Sequence, residues 1–265
     1  SGAPSHLGKS LMRTYSDRAL AIFLALTVWQ LLSLSYGTDA VAAPSASWQR
    51  LVMLVNTGFI LPHLSFTLAC WIIGIVLASI VGLSLGLVLG LHRASGLIFE
   101  PLLIAVSSLP KVTVYPMVLL ICGLGQSSKI AFGFIHGVLP IMLFTLGAAR
   151  EIPIHYVKAA RTLGLDRATM LRRVMLPAMS GGIASGLRLG ASLTLLGVII
   201  GEMFGAQRGL GFLLMNAIDI NDTAQMTAVT LMLIFMALAL NALVRMLLSV
   251  FNRHAVRSIT PLASL

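Results

Sequence analysis

The chain alternates long apolar runs with short polar segments. Six of the runs, 19–36, 66–91, 102–122, 130–148, 183–204 and 226–250, are long enough to cross a bilayer as helices. A hydrocarbon core calls for about 20 helical residues per crossing, so the runs occupy roughly half of the chain and leave no room for a separate catalytic domain. The pattern predicts an all-α membrane protein, with residues 1–18 before the spans and 251–265 as a tail after them. The first run follows Lys9, Arg13 and Arg18, a layout shared by signal peptides and first transmembrane helices. Ala40, Val41 and Ala42 imitate a cleavage site, but the run is longer than the roughly 7 to 15 residues of a signal's apolar region and more spans follow, which favours an uncleaved helix.

Two runs carry internal features. The second contains Gly74, Gly82, Gly86 and Gly90, which read either as a close-packing stripe or as ordinary glycine enrichment in membrane helices. The third is interrupted by Pro110 and Pro116, each lacking a backbone donor, with Lys111 between them. Freed carbonyls at membrane depth are tolerated where they are buried in protein or line water, so this run is the candidate transport path. Lys111 then either faces a cavity that attracts anions or snorkels toward headgroups.

Composition narrows the classes further. With 58% hydrophobic and 10% charged residues, against about 25% charged in a soluble domain, the chain is not a water-soluble globule. Its net charge of +10 would suggest nucleic acid on a soluble protein. Here the basic residues Lys9, Arg13, Arg18, Arg93, Arg150, Lys158, Arg161, Arg167, Arg172, Arg173, Arg253 and Arg257 all fall on one side of a six-span arrangement. Only Arg50, Lys129 and Arg208 fall on the other, so the positive-inside rule places both termini in the cytoplasm and makes lipid, not nucleic acid, the surrounding partner. Cys70 and Cys122 lie in apolar runs and read as packing residues; His63, His92 and His136 have no metal-ligand spacing, so no metal is expected. Asp219 and Asp222 fall in an outer loop, read either as a contact for a soluble partner or as a plain solvated loop.

The loop of residues 150–180 is the most informative polar stretch. Residues 155–163 read as a short helix, Gly164 sits where a helix end needs a left-handed residue, and Asp166 caps a second helix that runs through Val174 until Pro177. Such a hairpin would project as a knob bearing Arg161, Arg167, Arg172 and Arg173, suited to docking in a groove of a soluble partner.

Lys158, Ala159 and Ala160, then three residues, Gly164, nine residues, Val174, one residue, Leu176 and Pro177 match the spacing of a known motif. The segment resembles the EAA loop of permease subunits in binding-protein-dependent ABC importers, with Lys158 at the usual Glu and Val174 at the usual Ile. Gly186, Leu187 and Arg188, then Gly201, Glu202 and Met203 with Gly205, Ala206, Gly209, Leu210, Gly211 and Phe212, are similar to segments of the nitrate/sulfonate/taurine-type branch. So are Gly123, Gly125, Ser128 and Lys129. The resemblance covers roughly residues 60–250; Ile121 and Cys122 stand where that branch often has aromatic residues.

This resemblance implies the type I ABC importer permease fold, six transmembrane helices with a cytoplasmic coupling-helix loop between spans four and five, in a bacterial inner membrane. It implies a second permease copy, an ABC ATPase dimer and an extracytoplasmic solute-binding protein as partners, with a small anionic solute. The coupling residues would be Lys158, Ala159, Ala160, Arg161, Leu163, Gly164, Asp166, Val174, Leu176 and Pro177. Candidate path residues are Pro110, Lys111, Pro116, Arg188 and Glu202; the last two are read as structural or gating groups, some four turns apart on one helix. No Gly-x-x-x-x-Gly-Lys-Ser/Thr occurs, so ATP and Mg would sit on the ATPase and this chain would bind no cofactor. The alternatives are a secondary transporter or channel, for which Glu202 is the one acid well inside a span, and an intramembrane enzyme, for which no nucleophile and base stand out.

Overall fold

The computed structural model describes residues 5–38 and 40–257, with side chains described for 17, 20–38, 40–92 and 94–249. The start of the expected N-terminal segment and the tail beyond residue 257 lie outside the described residues, as do the side chains of Lys9, Arg13, Arg18, Arg93, Arg253 and Arg257. Eleven α-helices form the described chain: α1 Ser5–Tyr36, α2 Pro44–Asn56, α3 Leu61–Leu91, α4 Arg93–Ser108, α5 Tyr115–Cys122, α6 Gln126–Arg150, α7 Ile154–Thr162, α8 Arg167–Met170, α9 Leu176–Met203, α10 Leu210–Asp219 and α11 Thr223–Arg257. A 3-10 turn, Lys111–Val114, precedes α5, and a π turn, Leu171–Met175, joins α8 to α9.

Among the described residues, four helices are long and apolar enough to cross a membrane: Leu61–Leu91, Gln126–Arg150, Arg167–Met203 and Thr223–Ser249. A fifth crossing exists if Ala94–Ser108 and Lys111–Cys122, bent by 83°, form one broken span. Four or five of the six expected spans are thus found among the described residues, and the described apolar part of α1, Leu20–Tyr36, stands where the first was expected. Outward positions such as Ile72, Val76, Ile80 and Val88 of α3 are apolar and exposed, a surface suited to lipid rather than water.

The prolines act differently from expectation. Chain extension at Leu109 (φ −70°, ψ 139°), the residue before Pro110, breaks the third expected run, as a pre-proline residue is driven out of helical geometry. Pro116 does not interrupt a helix; it stands in the first turn of α5, where a missing N–H costs nothing. Pro177 likewise does not end the hairpin's second helix. It lies in the first turn of α9, and the π turn before it accommodates a residue that would otherwise clash with the preceding turn.

The chain forms two compact units. The first comprises Ser1–Leu61 and Leu213–Met232. In it, the Trp29 indole donates to the Ala42 carbonyl (3.0 Å), Ser47 Oγ meets Thr227 Oγ1 at 2.6 Å, and Arg50 reaches Asp222 (2.8 Å) and Gln225 (2.9 Å). These polar contacts frame a small core that includes Leu51, Leu54, Ile60 and Val229.

The second unit, Pro62–Phe212 and Leu233–Leu265, contains the hairpin and both glycine-rich helices. The α3 glycines are a packing stripe: a Cβ on Gly82 would meet Ile141 at 2.9 Å, one on Gly86 the Met142 carbonyl at 2.6 Å, and one on Gly90 the Ala149 methyl at 2.6 Å. From the other side, a Cβ on Gly186 of α9 would meet the Phe144 Cβ at 2.8 Å and one on Gly197 the Phe132 carbonyl at 2.8 Å. Small residues on α3 and α9 thus let both helices approach the backbone of α6, the packing mode that replaces a hydrophobic driving force within lipid.

Candidate functional site

The hairpin is built by local turn chemistry. After α7 the Leu165 N–H bonds the Ala160 carbonyl (3.1 Å) and the Gly164 N–H bonds the Arg161 carbonyl (3.0 Å). That is the Schellman pattern, and Gly164 supplies its left-handed residue (φ +70°). Two residues on, an Asp166 carboxylate oxygen accepts from the Ala168 and Thr169 N–H groups at 3.1 and 3.3 Å and caps α8. The Thr169 hydroxyl, with those N–H groups, holds the Asp166 carboxyl below its ordinary range.

Of the ten expected coupling residues, Ala160 is buried against the hairpin, Val174, Leu176 and Pro177 are half-buried, and Lys158, Ala159, Arg161, Leu163, Gly164 and Asp166 are exposed. Leu163 is 69% and Ile154 64% exposed beside Tyr156, so the knob presents apolar side chains among its cations. An open cleft of about 1460 Å³ adjoins it, lined by Gly90, His92, Glu100, Arg150, Arg161 and Arg167 among others. An ion pair joins Arg150 to Glu100 across this cleft.

At the opposite end of α9 the geometry is closed. Glu202 is fully buried, and its Oε2 accepts from Thr67 Oγ1 (3.0 Å) and the Gly211 N–H (2.9 Å). Thr67 Oγ1 in turn accepts from the Leu210 N–H (3.0 Å), and His63 Nδ1 from the Gly209 N–H (3.2 Å). Three successive N–H groups at the start of α10 are thereby satisfied, with a carboxylate against the positive end of the helix. Gly209 has φ +116°, and a Cβ there would strike the Glu202 carboxylate.

Lys129 is fully buried beside this cap. Its ammonium donates to the Leu124 carbonyl (2.6 Å), the Gly205 carbonyl (3.0 Å) and Ser128 Oγ (3.2 Å), tying the turn before α6 to the turn after α9. The Tyr115 hydroxyl lies 2.6 Å from the Gly201 carbonyl and 2.8 Å from that of Phe204, fastening α5, the segment just past the break, to the same place.

The structure brings together few of the expected path residues. Pro110 and Pro116 are exposed at the break, and Lys111, half-buried, donates to the Ser107 carbonyl (3.2 Å) and closes the open end of α4. Arg188 is exposed on α9, fourteen residues from Glu202, and the two do not meet. Sequence reasoning missed Lys129 as a buried group, along with Thr67, Tyr115, His63 and Gly209. The signal available was a lysine opening an apolar run directly after a Gly-x-Gly turn. It also passed over Arg245, inside the last apolar run. Among the described residues no cluster of three or more His, Cys, Asp or Glu could hold a metal ion.

An all-α chain with several apolar crossings and a basic helical hairpin between two of them is the architecture of a multi-spanning membrane protein. The profile of the binding-protein-dependent transport system inner membrane component family matches residues 74–257, and the chain belongs to that family, as an ABC-importer permease subunit related to nitrate/sulfonate/taurine-type permeases. An ABC transporter permease protein of Methanocaldococcus jannaschii is 30% identical over 205 residues, covering 75% of this chain and 76% of its own. The nitrate import permease of Leptolyngbya laminosa is 26% identical over 90% of this chain and 88% of its own. The taurine transport system permease of Escherichia coli K12 is 26% identical over 75% and 70%. In fold, the chain resembles the inward-facing methionine ABC transporter MetNI, with a TM-score of 0.59 at 19% identity, over 74% of this chain and 95% of that one.

Proposed function

We propose that the chain is the membrane-spanning half of an ATP-driven importer that passes a small anionic solute, of the sulfonate, nitrate or taurine kind, from an extracytoplasmic binding protein into the cytoplasm. The relatives that import nitrate, sulfonates and taurine support the solute class. In this reading α1 adds a further span, both termini and the hairpin are cytoplasmic, and two copies of the chain form the pathway. The broken span around Pro110, Lys111 and Pro116 borders that pathway, and the cap at Glu202 holds its outer end in shape.

The single observation that carries the coupling role is the hairpin itself. The Schellman turn at Gly164 and the cap at Asp166 stiffen a knob whose exposed face mixes Leu163, Ile154 and Tyr156 with Lys158 and Arg161. A rigid amphipathic knob fits a groove on a soluble ATPase, and closure of the ATPase dimer would then bias the permease pair between inward-facing and outward-facing states. Co-expression with an ABC ATPase subunit from the same genome, followed by native mass determination through a tag on the permease, tests this. A complex of two permeases and two ATPases that Gly164→Glu disrupts is expected. Recovery of the same complex with normal uptake in Gly164→Glu would overturn the docking role, and recovery of the chain alone would point to a transporter driven by an ion gradient.

A further inference from the structure

The α5 helix has eight residues and is set off at both ends. Before it stand the Pro110 break and the 3-10 turn; after it come Gly123 (φ +75°) and Gly125, where an added Cβ would meet nothing within 4 Å. A helix so short is not stable by itself, and neither α4, bent away by 83°, nor α6 continues it, so side chains must fix its place. Its residues divide between two faces. Tyr115 and Val118 are buried and Leu119 and Cys122 partly so, packed with Phe132 and Ile135 of α6 and Ile200 of α9. Met117, Leu120 and Ile121 stand 62%, 87% and 81% exposed on the other face.

The end of α9 needs what α5 supplies. The last carbonyls of a helix have no partner within it, and Phe204, extended at φ −108° and ψ 92°, makes no N–H bond back to α9 of the kind that closes α5, α6 and α7. The Tyr115 hydroxyl takes over that role. It lies 2.6 Å from the Gly201 carbonyl in the last turn and 2.8 Å from the Phe204 carbonyl just beyond, and its one hydrogen serves either. The Lys129 ammonium does the same for Gly205. Side chains from α5 and from the start of α6 thus close α9.

Here α6 and α9 form one body. A Cβ on Gly133 would meet Val198 Cγ2 at 2.7 Å and one on Gly197 the Phe132 carbonyl at 2.8 Å, too close for either helix to slide past the other. The α4 helix is held elsewhere, by the Glu100–Arg150 ion pair and by Arg150 over Gly96, where a Cβ would meet Arg150 Cδ at 3.1 Å. Arg150 ends α6, whereas Lys129 lies in its first turn. The two halves of the broken span are therefore anchored at opposite ends of the α6–α9 pair.

We infer that Tyr115 is a positioning residue of the transport cycle. Its hydroxyl makes α5 follow the far end of α9, so a rotation imposed at the hairpin reaches the exposed face of Met117, Leu120 and Ile121 beside the solute path. This rests on the importer reading above, including its placement of the broken span, and extends it to a named residue. Tyr115 acts on where α5 stands, while α4, anchored at the other end, does not depend on it.

The test uses two cysteine reporters, Leu120→Cys on α5 and Ile98→Cys on α4, each in a Cys122→Ala background, Cys70 being fully buried. The permease and an ABC ATPase subunit from the same genome are co-purified into nanodiscs. Maleimide labelling rates are compared without nucleotide and after trapping with ATP and vanadate. Trapping is expected to change the Leu120→Cys rate, and Tyr115→Phe to shrink that change about fivefold, the bias that one buried hydrogen bond supplies. ATP hydrolysis, Tm and the Ile98→Cys response should be kept. An equal Leu120→Cys response with and without the hydroxyl would overturn the inference, as would a loss of both reporters' responses together with a lowered Tm, the mark of a merely stabilising group. So would a Leu120→Cys rate that trapping leaves unchanged in a complex that hydrolyses ATP, an outcome that needs no substitution at Tyr115. Failure of the ATPase to co-purify would instead fault the importer reading. The attachment of α5 is then read on the chain alone: amide-exchange protection over residues 117–122 should fall about fivefold in Tyr115→Phe, and unchanged protection would overturn the attachment itself.

Discussion

The two ends of α9 are built on opposite plans. At the Glu202 end, the charged and polar groups are buried and bonded to backbone: Lys129 to two carbonyls, Glu202 and Thr67 to the N–H groups that open α10. At the hairpin end, cations and apolar side chains stand in the open around a wide cleft, and the ion pair there is partly solvated. The contrast teaches where each end finds its partners. The buried end bonds most of its polar groups within the chain, Glu202 Oε1 being left without a partner among the described residues, whereas at the open end they face outward.

The comparison breaks most sharply at Lys129. Lys129→Met removes the buried ammonium that ties the part-buried Leu124 and Gly205 carbonyls together and should lower stability by about 3 kcal/mol, read as a depressed Tm of the detergent-solubilised chain. Next is the α3–α6 contact, where Gly86→Leu should cost about 2 kcal/mol by overpacking against the Met142 carbonyl, checked by the same melt. At the open end the effects on the chain alone should be smaller. Gly164→Ala strains a left-handed residue and should cost about 1 kcal/mol of hairpin stability, with Gly164→Asn milder; amide-exchange protection over residues 160–165 would show it. The smallest change concerns Asp166. Its carboxyl is held below the ordinary range in the folded state, so the cap contributes at neutral pH and is lost only as pH falls through that lowered value. Protection of the Ala168 and Thr169 amides, corrected for intrinsic exchange, should fall on acidification in the wild type, and Asp166→Ala should lack the protection at every pH.

What could be read from the sequence was what is local. Gly164 and Asp166 define their turns through neighbours five residues away or fewer, so the hairpin was legible; likewise the apolar runs set most crossings. Proline positions were legible but not their consequences. The effect of a proline depends on whether it meets the first turn of a helix, as Pro116 and Pro177 do, or follows an extended residue, as Pro110 does. The closed end was out of reach because its bonds join residues far apart in the chain: Thr67 to Glu202, Tyr115 to Gly201, Lys129 to Gly205. No periodicity in one segment reports such a pairing. The α3 glycines could be recognised as small residues, yet only the position of α6 distinguished a stripe from enrichment.

From Arg167 to Met203 the chain is one helical run of 37 residues that starts in the hairpin and ends next to the buried cap. At 1.5 Å per residue such a rod is about 55 Å long, so each degree by which its hairpin end swivels about a fixed far tip sweeps that end through about 1 Å. Leverage works in the other direction too. A few ångströms of travel imposed on the knob arrive at the fixed tip as a turn of only a few degrees. Under the proposed docking, such a rod would serve as a reduction gear, converting a large stroke at the knob into a fine rotation where the polar groups are packed.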